Sequence, residues 1–177
     1  MNDPIKLLFD EHDIITDATN TALELRKIID KPEVYSEQVF QLISFFREYA
    51  DKYHHHKEEE VLFPEMVKAN ELLESGVVQE MFENHEDFRE LIREIEQLTK
   101  DNSLSNAQDK LEFYVNALID HIAVENEEVF EIARTQFSED ELEKIYFRFL
   151  DIDLELGEKN KVALKERLAK IKSTLTA

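Results

Sequence analysis

The sequence predicts an all-α protein, namely an up-down-up-down four-helix bundle with a C-terminal helical extension. Only 2 of the 177 residues are Gly and 3 are Pro, so the chain has few candidates for tight turns. Apolar residues recur at helical spacing in successive stretches, and the short connections between them favour antiparallel neighbours. We expect the bundle in residues 1–137 and the extension, packed on it, in residues 138–177.

The composition limits the partners of the chain. Lys and Arg number 21 against 41 Asp and Glu, which gives a net charge of −20. Such a surface repels nucleic-acid phosphate and anionic lipid, so we expect neither nucleic acid nor a membrane as a partner. The chain has no Cys, which excludes disulfides and thiolate metal sites. It also shows no leader pattern and no apolar run of membrane-spanning length, so a cytoplasmic location is the default expectation.

The first predicted helix begins at Asp3, an N-cap residue that is followed by proline at the first helical position. Its apolar face runs from Ile5 to Leu23 and contains His12 near its centre. We expect this helix to end close to Pro32, because the residue that precedes a proline disfavours α-helical geometry.

The second predicted helix starts from a cap at Ser36 and contains three consecutive histidines. His54 and Glu58 are four residues apart, so both lie on the apolar face of this helix. An α-helix rotates His55 and His56 away from that face by about 100° and 200°. We therefore expect both of these side chains to face solvent.

Two further predicted helices repeat this arrangement of an inward histidine and an inward His-x-x-x-Glu pair. Pro64 should first kink or locally unwind the end of the second helix. The third helix carries His85 in its apolar stripe, and the fourth carries His121 and Glu125, again four residues apart. This arrangement of two helices occurs twice, and it predicts that the polar side chains meet inside a bundle with pseudo-two-fold symmetry.

The C-terminal extension shows two local signals. Ser138 and Glu141 have the spacing of a capping box, which predicts a helix start. Gly157 marks a break or kink before a last amphipathic segment. We expect the aromatic residues near Phe149 to pack the extension on the bundle.

Six inward polar residues on four helices indicate a metal site. Burying them without partners would cost several kcal/mol each, so a bound metal pair is favoured over a polar core or an accidental pattern. Mixed imidazole and carboxylate ligands suit iron, manganese or zinc, and six ligands are too many for one tetrahedral zinc. Divided over two metals and completed by a bridging oxo or hydroxo group, they leave one position open on each for O2, peroxide or NO. The predicted ligands are His12, His54, Glu58, His85, His121 and Glu125.

The motifs resemble those of the hemerythrin-like HHE cation-binding family over roughly residues 4–135. The resemblance implies a four-helix bundle with a non-haem di-iron centre on the six residues named above; manganese or zinc are the other candidate metals. The matching stretches are Glu11-His12, His54-His55-His56-Lys57-Glu58-Glu59-Glu60-Val61-Leu62-Phe63-Pro64, Asn84-His85-Glu86-Asp87-Phe88-Arg89 and His121 to Glu125.

Two positions differ from the oxygen-carrying members of this family. Those proteins have His-x-x-x-His on the third helix, and here Met81 replaces the first of the pair, so only His85 remains. Their fourth helix carries an aspartate, whereas here the ligand is Glu125. The chain is thus similar to the four-histidine, two-glutamate branch, which includes repair-of-iron-centres proteins. That branch implies symmetric coordination, with two histidines on each iron.

Two functions remain open from the sequence. The first is redox chemistry on O2, peroxide or NO in an oxidative or nitrosative stress response, with a redox partner protein as a candidate partner. The second is non-catalytic binding, storage or sensing of O2, NO or iron. The expected assembly is a monomer or a homodimer. Three tyrosines near the predicted ligands are interpreted as core residues: Tyr49, Tyr53 and Tyr114.

Overall fold

The computed structural model describes residues 2–175, and these form helices joined by short turns, without a β-strand. Three π-helical turns, π1 to π3, interrupt the longest segments. The α-helices are α1 (Pro4–Glu24), α2 (Pro32–Phe45), α3 (Phe63–Ala69), α4 (Val77–Lys100), α5 (Leu104–Val124), α6 (Phe130–Gln136), α7 (Glu139–Leu156) and α8 (Glu158–Leu175). The π-helical turns are π1 (Phe46–His55), π2 (Glu58–Leu62) and π3 (Glu125–Val129).

The first helix begins as the sequence predicts. The Asp3 side chain accepts hydrogen bonds from the backbone N–H groups of Ile5 and Lys6, and Pro4 occupies the first turn. The α-helix ends at Glu24, earlier than the end expected close to Pro32, because a 3₁₀ turn, Leu25–Ile28, forms its last part.

The second helix begins five residues earlier than expected, at Pro32 instead of at Glu37 after a Ser36 cap. The fixed φ of Pro32 suits a first helical position, and the N–H of Tyr35 already bonds the carbonyl of Lys31. The local unwinding expected at Pro64 is present, because π2 directly precedes α3.

The remaining turns follow local sequence signals. Asn102 adopts a φ of 55° between α4 and α5, a conformation that Asn tolerates better than most residues. Ser138 and Glu141 form the predicted capping box at the start of α7. Gly157 separates α7 from α8 with a φ of 91°, which favours glycine.

Four helical segments surround the centre of the molecule: α5 packs on α1 and α4, and α2 packs on α4. The hairpin of α7 and α8 packs on α1, and α8 also lies against α2. Among the described residues, no helix is both long and apolar enough to cross a membrane.

Two hydrophobic clusters fill the interior. The first cluster includes Ile15, Phe46 and Leu118, and the second includes Leu8 and Val61. On each of the four segments, the predicted polar residues fall between a residue of one cluster and a residue of the other. The predicted ligands therefore form a polar layer between two apolar layers. Side chains from α7 and α8 complete both clusters: Ile145, Phe149 and Ile152 on α7, and Leu164, Leu168 and Ile171 on α8.

Candidate metal centre

Seven buried side chains form the polar layer, each at most 3% exposed. Six of them are the predicted ligands, and the structure brings all six together. The seventh is His55, for which the expectation of a solvent-facing side chain is wrong. His56 is exposed, as predicted. The seven residues are His12, His54, His55, His85, His121, Glu58 and Glu125.

The π-helical turns explain why His55 is buried beside His54. A π-helical turn contains one residue more than an α-helical turn, so it shifts the faces on which later side chains lie. π1 ends at His55, and both histidines point into the bundle. Glu58 begins π2 and Glu125 begins π3, so three π-helical turns supply four of the seven side chains.

The seven residues divide into two groups by the proximity of their ligand atoms. One ligand atom from each member of a group lies within 4.8 Å of those of the other members. The first group, called the two-histidine group, contains His12, His54, Glu58 and Glu125. The second, called the three-histidine group, contains His55, His85 and His121.

Glu58 faces both groups with different oxygen atoms. Its Oε1 lies 3.5 Å from Nε2 of His54, and its Oε2 lies 3.7 Å from Nε2 of His85. The carboxylate of Glu58 is therefore placed to join the two groups.

Glu125 repeats this arrangement from the opposite helix. Its Oε2 lies 3.2 Å from Nε2 of His12. Its Oε1 lies 3.2 Å from Nε2 of His121 and 3.9 Å from Nε2 of His85. Two carboxylates thus span the space between the two histidine groups.

The outward nitrogen of each imidazole has a polar neighbour. Such neighbours fix ring orientation and, where they accept a hydrogen bond, leave the inner nitrogen with a free lone pair. The Nδ1 distances are 2.7 Å from His12 to Asn126, 3.1 Å from His54 to Glu11, 3.6 Å from His55 to Asp51, 2.8 Å from His85 to Glu59 and 3.4 Å from His121 to Asn84.

Nε2 of His85 and Nε2 of His121 lie 3.1 Å apart. Six other inner atoms, by contrast, lack hydrogen bonds within residues 2–175. This holds for all four carboxylate oxygens of Glu58 and Glu125 and for Nε2 of His12 and His54. Buried polar groups are otherwise nearly always paired, and leaving them unpaired costs free energy. Imidazole nitrogens and carboxylate oxygens that converge on one space without hydrogen bonds fit metal ions of the iron, manganese or zinc type.

The electrostatics of the metal-free protein agree with this fit. Burial and the nearby charge of Glu125 raise the pKa of Glu58 well above its usual range. Burial also opposes ionisation of Glu125, but His121 and His12 hold its pKa well below the usual range. Burial and the neighbouring His12 lower the pKa of His54 to about 4, so its imidazole is neutral near pH 7.

A cavity of about 260 Å³ lies between π1 and α4, and His55 and His85 are among its lining residues. Phe88 and Tyr114 form part of its apolar wall, and Arg89 is among its charged residues. Neither glutamate of the polar layer lines this cavity.

We expect the metal-free protein to lose stability as the pH falls from about 6.5 to about 4. The pKa of His54 is lower in the folded state than its ordinary value of 6.5, so the unfolded state binds a proton first. The contribution of neutral His54 to the free energy of unfolding is complete above pH 6.5. It declines by on the order of 3 kcal/mol as the pH falls from about 6.5 to about 4. The free energy of unfolding, measured by urea denaturation at each pH, reports it.

The variant His54→Gln isolates that contribution from other groups that titrate in the same range, including Glu58, whose raised pKa acts in the opposite direction. The free energy of unfolding of this variant should fall less steeply with decreasing pH. The difference in slope should correspond to up to about one fewer proton taken up on unfolding. Equal slopes in the two proteins would show that His54 is not held neutral by the fold.

Comparison with known proteins identifies the family. The family model of the hemerythrin HHE cation-binding domain matches residues 3–133. The chain belongs to this family. No curated protein and no solved structure matches it significantly. The matched part of the hemerythrin HHE domain includes every residue of the polar layer and ends before α7.

The sequence interpretation missed three buried polar residues of this hemerythrin HHE domain. His55 was missed because an α-helical repeat was assumed through π1; the run of three histidines was the available signal. Glu11 and Lys57 are also buried, and they contact each other. Met81, which stands where the oxygen carriers have a histidine, is buried in the second apolar cluster.

Proposed function

We propose that this hemerythrin HHE domain binds two iron ions and acts on a small molecule, namely O2, NO or peroxide. The observation that carries the proposal is the convergence of five buried imidazoles on two buried carboxylates whose four oxygens have no hydrogen bond in the described residues. Nine nitrogen and oxygen donors exceed what one tetrahedral zinc requires and suit two metals of higher coordination number.

The geometry supports an unequal division of ligands. His12 and His54 would hold one iron, and the three-histidine group would hold the other. Glu58 and Glu125 would each give one oxygen to either iron, in keeping with their distances to both groups. The iron pair would supply redox chemistry and a vacant coordination position for the small molecule.

Aromatic side chains pack on the imidazoles and limit the contact of the site with water, apart from the cavity beside His55 and His85. The ring of Phe130 stacks on His12 at a centroid distance of 5.3 Å. Phe88 meets His121 edge-on at 5.1 Å, and Phe63 stacks near His85. An apolar surround of this kind restricts solvent access, which favours small uncharged molecules over bulky or charged ones.

The order of the apolar clusters supports the predicted up-down-up-down topology. α1 passes from the second cluster at Leu8 to the first at Ile15, whereas the next segment passes from Phe46 in the first to Val61 in the second. The same alternation recurs in α4 and α5. We infer that successive helices run in opposite directions. Each of the four segments then contributes its predicted ligands to the same polar layer.

His55 favours reversible binding over catalytic turnover. The four-histidine set expected from the sequence would leave both irons equally open. With His55 added, three imidazoles and two carboxylate oxygens would be available to hold one iron, and two imidazoles and two oxygens to hold the other. The small molecule would then bind at the two-histidine group, and a single vacant position favours its release unchanged.

Stopped-flow absorbance tests the two functions. The iron-loaded protein, reduced without oxygen, is mixed with O2 or with NO, and the gas is then removed. We expect a stoichiometric spectral change that reverses on removal. Continuous consumption of added peroxide, with many turnovers per chain, would instead support the redox enzyme, and no spectral response to any of the three would contradict the proposal.

A further inference from the structure

A buried charge network joins the α7–α8 hairpin to the polar layer. Nζ of Lys161 on α8 lies 2.5 Å from Oε1 of Glu11 and 2.7 Å from Oδ2 of Asp153 on α7. Nζ of Lys57 lies 2.9 Å from the same Glu11 oxygen and 2.6 Å from Oδ1 of Asp153. Two carboxylates and two ammonium groups thus balance in charge between the hairpin and the bundle.

This network ends on a predicted iron ligand. Both lysines contact Oε1 of Glu11, which leaves Oε2 to face Nδ1 of His54 at 3.1 Å. A hydrogen bond from Nδ1–H to this carboxylate puts the lone pair of His54 on Nε2, the nitrogen that faces Glu58. The orientation of Glu11 therefore sets the form of His54 that can bind a metal.

A second contact fixes the hairpin beside the same ligand. The hydroxyl of Tyr53, the residue before His54, donates to the carbonyls of Leu156 and Gly157 at 2.9 and 2.7 Å. These carbonyls lie at the turn between α7 and α8. The hairpin is thus tied to both the backbone neighbour and the hydrogen-bond partner of His54.

We propose that the α7–α8 hairpin is part of the metal-binding device, with Asp153 and Lys161 as positioning residues that act through Glu11 on His54. This inference rests on the proposed iron site. It extends that site beyond the family-matched residues 3–133, because both positioning residues lie outside them. Docking of the hairpin and retention of metal at the two-histidine group are then thermodynamically coupled, so each strengthens the other.

The rate of iron release tests this coupling. The full-length protein is loaded with Fe²⁺ without oxygen and mixed with excess ferrous chelator, and release is followed by the absorbance of the chelate. In the Lys161→Met variant we expect one of two release phases to accelerate by roughly tenfold, the lower end of the effect of losing an outer partner of a metal ligand. The other phase, from the three-histidine group, should keep its rate.

Lys172→Met is the matched control. Lys172 is also an α8 lysine paired with an α1 carboxylate, at 2.6 and 2.8 Å from the oxygens of Asp17, but it does not contact Glu11. Because this ion pair is exposed on both sides, its loss should change hairpin docking little and leave the release rates unchanged. Lys161→Arg should restore the slow phase. Asp153→Asn removes the charge pair of Asp153 with Lys161 at nearly constant shape. It should show the same faster release phase, so it serves as the test if Lys161→Met folds poorly.

Hydrogen exchange supplies the reciprocal measurement. Iron loading should slow amide exchange in α7 and α8 of the unmutated protein, and it should do so much less in Lys161→Met. Equal release rates in Lys161→Met and Lys172→Met would overturn the coupling, as would hairpin amide exchange that is the same with and without iron. Neither result would contradict the proposed iron site itself. Failure of the unmutated protein to retain iron would overturn both proposals.

Discussion

Glu125→Ala is expected to reduce the iron content from about two ions per chain to less than one. Each oxygen of Glu125 faces a different histidine group, at 3.2 Å from His12 and 3.2 Å from His121. Removing this carboxylate would therefore take one oxygen ligand from each iron. Glu58 cannot replace it, because its own two oxygens already face the two groups. Elemental analysis after dialysis against a weak chelator measures the loss.

Glu128→Ala is the control for this experiment, because Glu128 lies one helical turn away and is exposed. It should retain the metal content of the unmutated protein. The far-UV circular dichroism of metal-free Glu125→Ala should match that of the metal-free unmutated chain, since its carboxylate oxygens make no hydrogen bond in the described residues. Retention of both irons by a folded Glu125→Ala would show that this carboxylate does not join the two groups. Glu58→Ala should behave like Glu125→Ala.

His55→Ala is expected to lose the iron of the three-histidine group while the two-histidine group keeps its own. The His55 ring stacks on that of His85 at a centroid distance of 3.8 Å, and a ring nitrogen lies within 4.8 Å of the ligand atoms of His85 and His121. Loss of a direct ligand should lower affinity by more than the roughly 10–100-fold that follows loss of an outer partner. Metal analysis should find about one iron per chain.

The adjacent histidine provides a close control. His56 is exposed, so His56→Ala should leave both irons in place. His55→Gln, which fills more of the space than alanine, should lose the same iron if the effect comes from the missing imidazole and not from a cavity. An iron content of two per chain in both His55 variants would show that His55 is not a ligand and would support the four-histidine set expected from the sequence.

Local signals in the sequence were sufficient for most helix boundaries. The Asp3-Pro4 start and the Ser138–Glu141 capping box depend on residues within one turn, and the structure contains both. Ser36 was a misleading signal of the same kind, because a serine can also lie inside a helix that a proline has already begun.

The polar layer was predictable as far as α-helical periodicity holds. His12 and His85 lie within α-helices, where apolar neighbours one turn away indicate an inward side chain. His55 lies at the end of π1, where the added residue changes the phase of the helix. A change of one residue per turn leaves no mark in a hydrophobic pattern that already contains three histidines in a row.

The charge network was beyond sequence reasoning for another reason. Glu11 and Lys161 are 150 residues apart in the chain, and Asp153 belongs to an extension whose exact placement on the bundle the apolar pattern does not specify. In a chain with 41 acidic residues, a carboxylate such as Glu11 is usually a solvated surface group. Only packing of α7 and α8 on the bundle reveals which acids are buried and paired.

Metal analysis of the protein purified from iron-replete cells tests the central claim most directly. Five imidazoles and two carboxylates that span two groups predict about two iron ions per chain. The same count should return when iron is removed with a strong chelator and added back without oxygen. A well-folded protein that holds a single zinc and rejects iron, or that binds no metal, would contradict the two-iron centre.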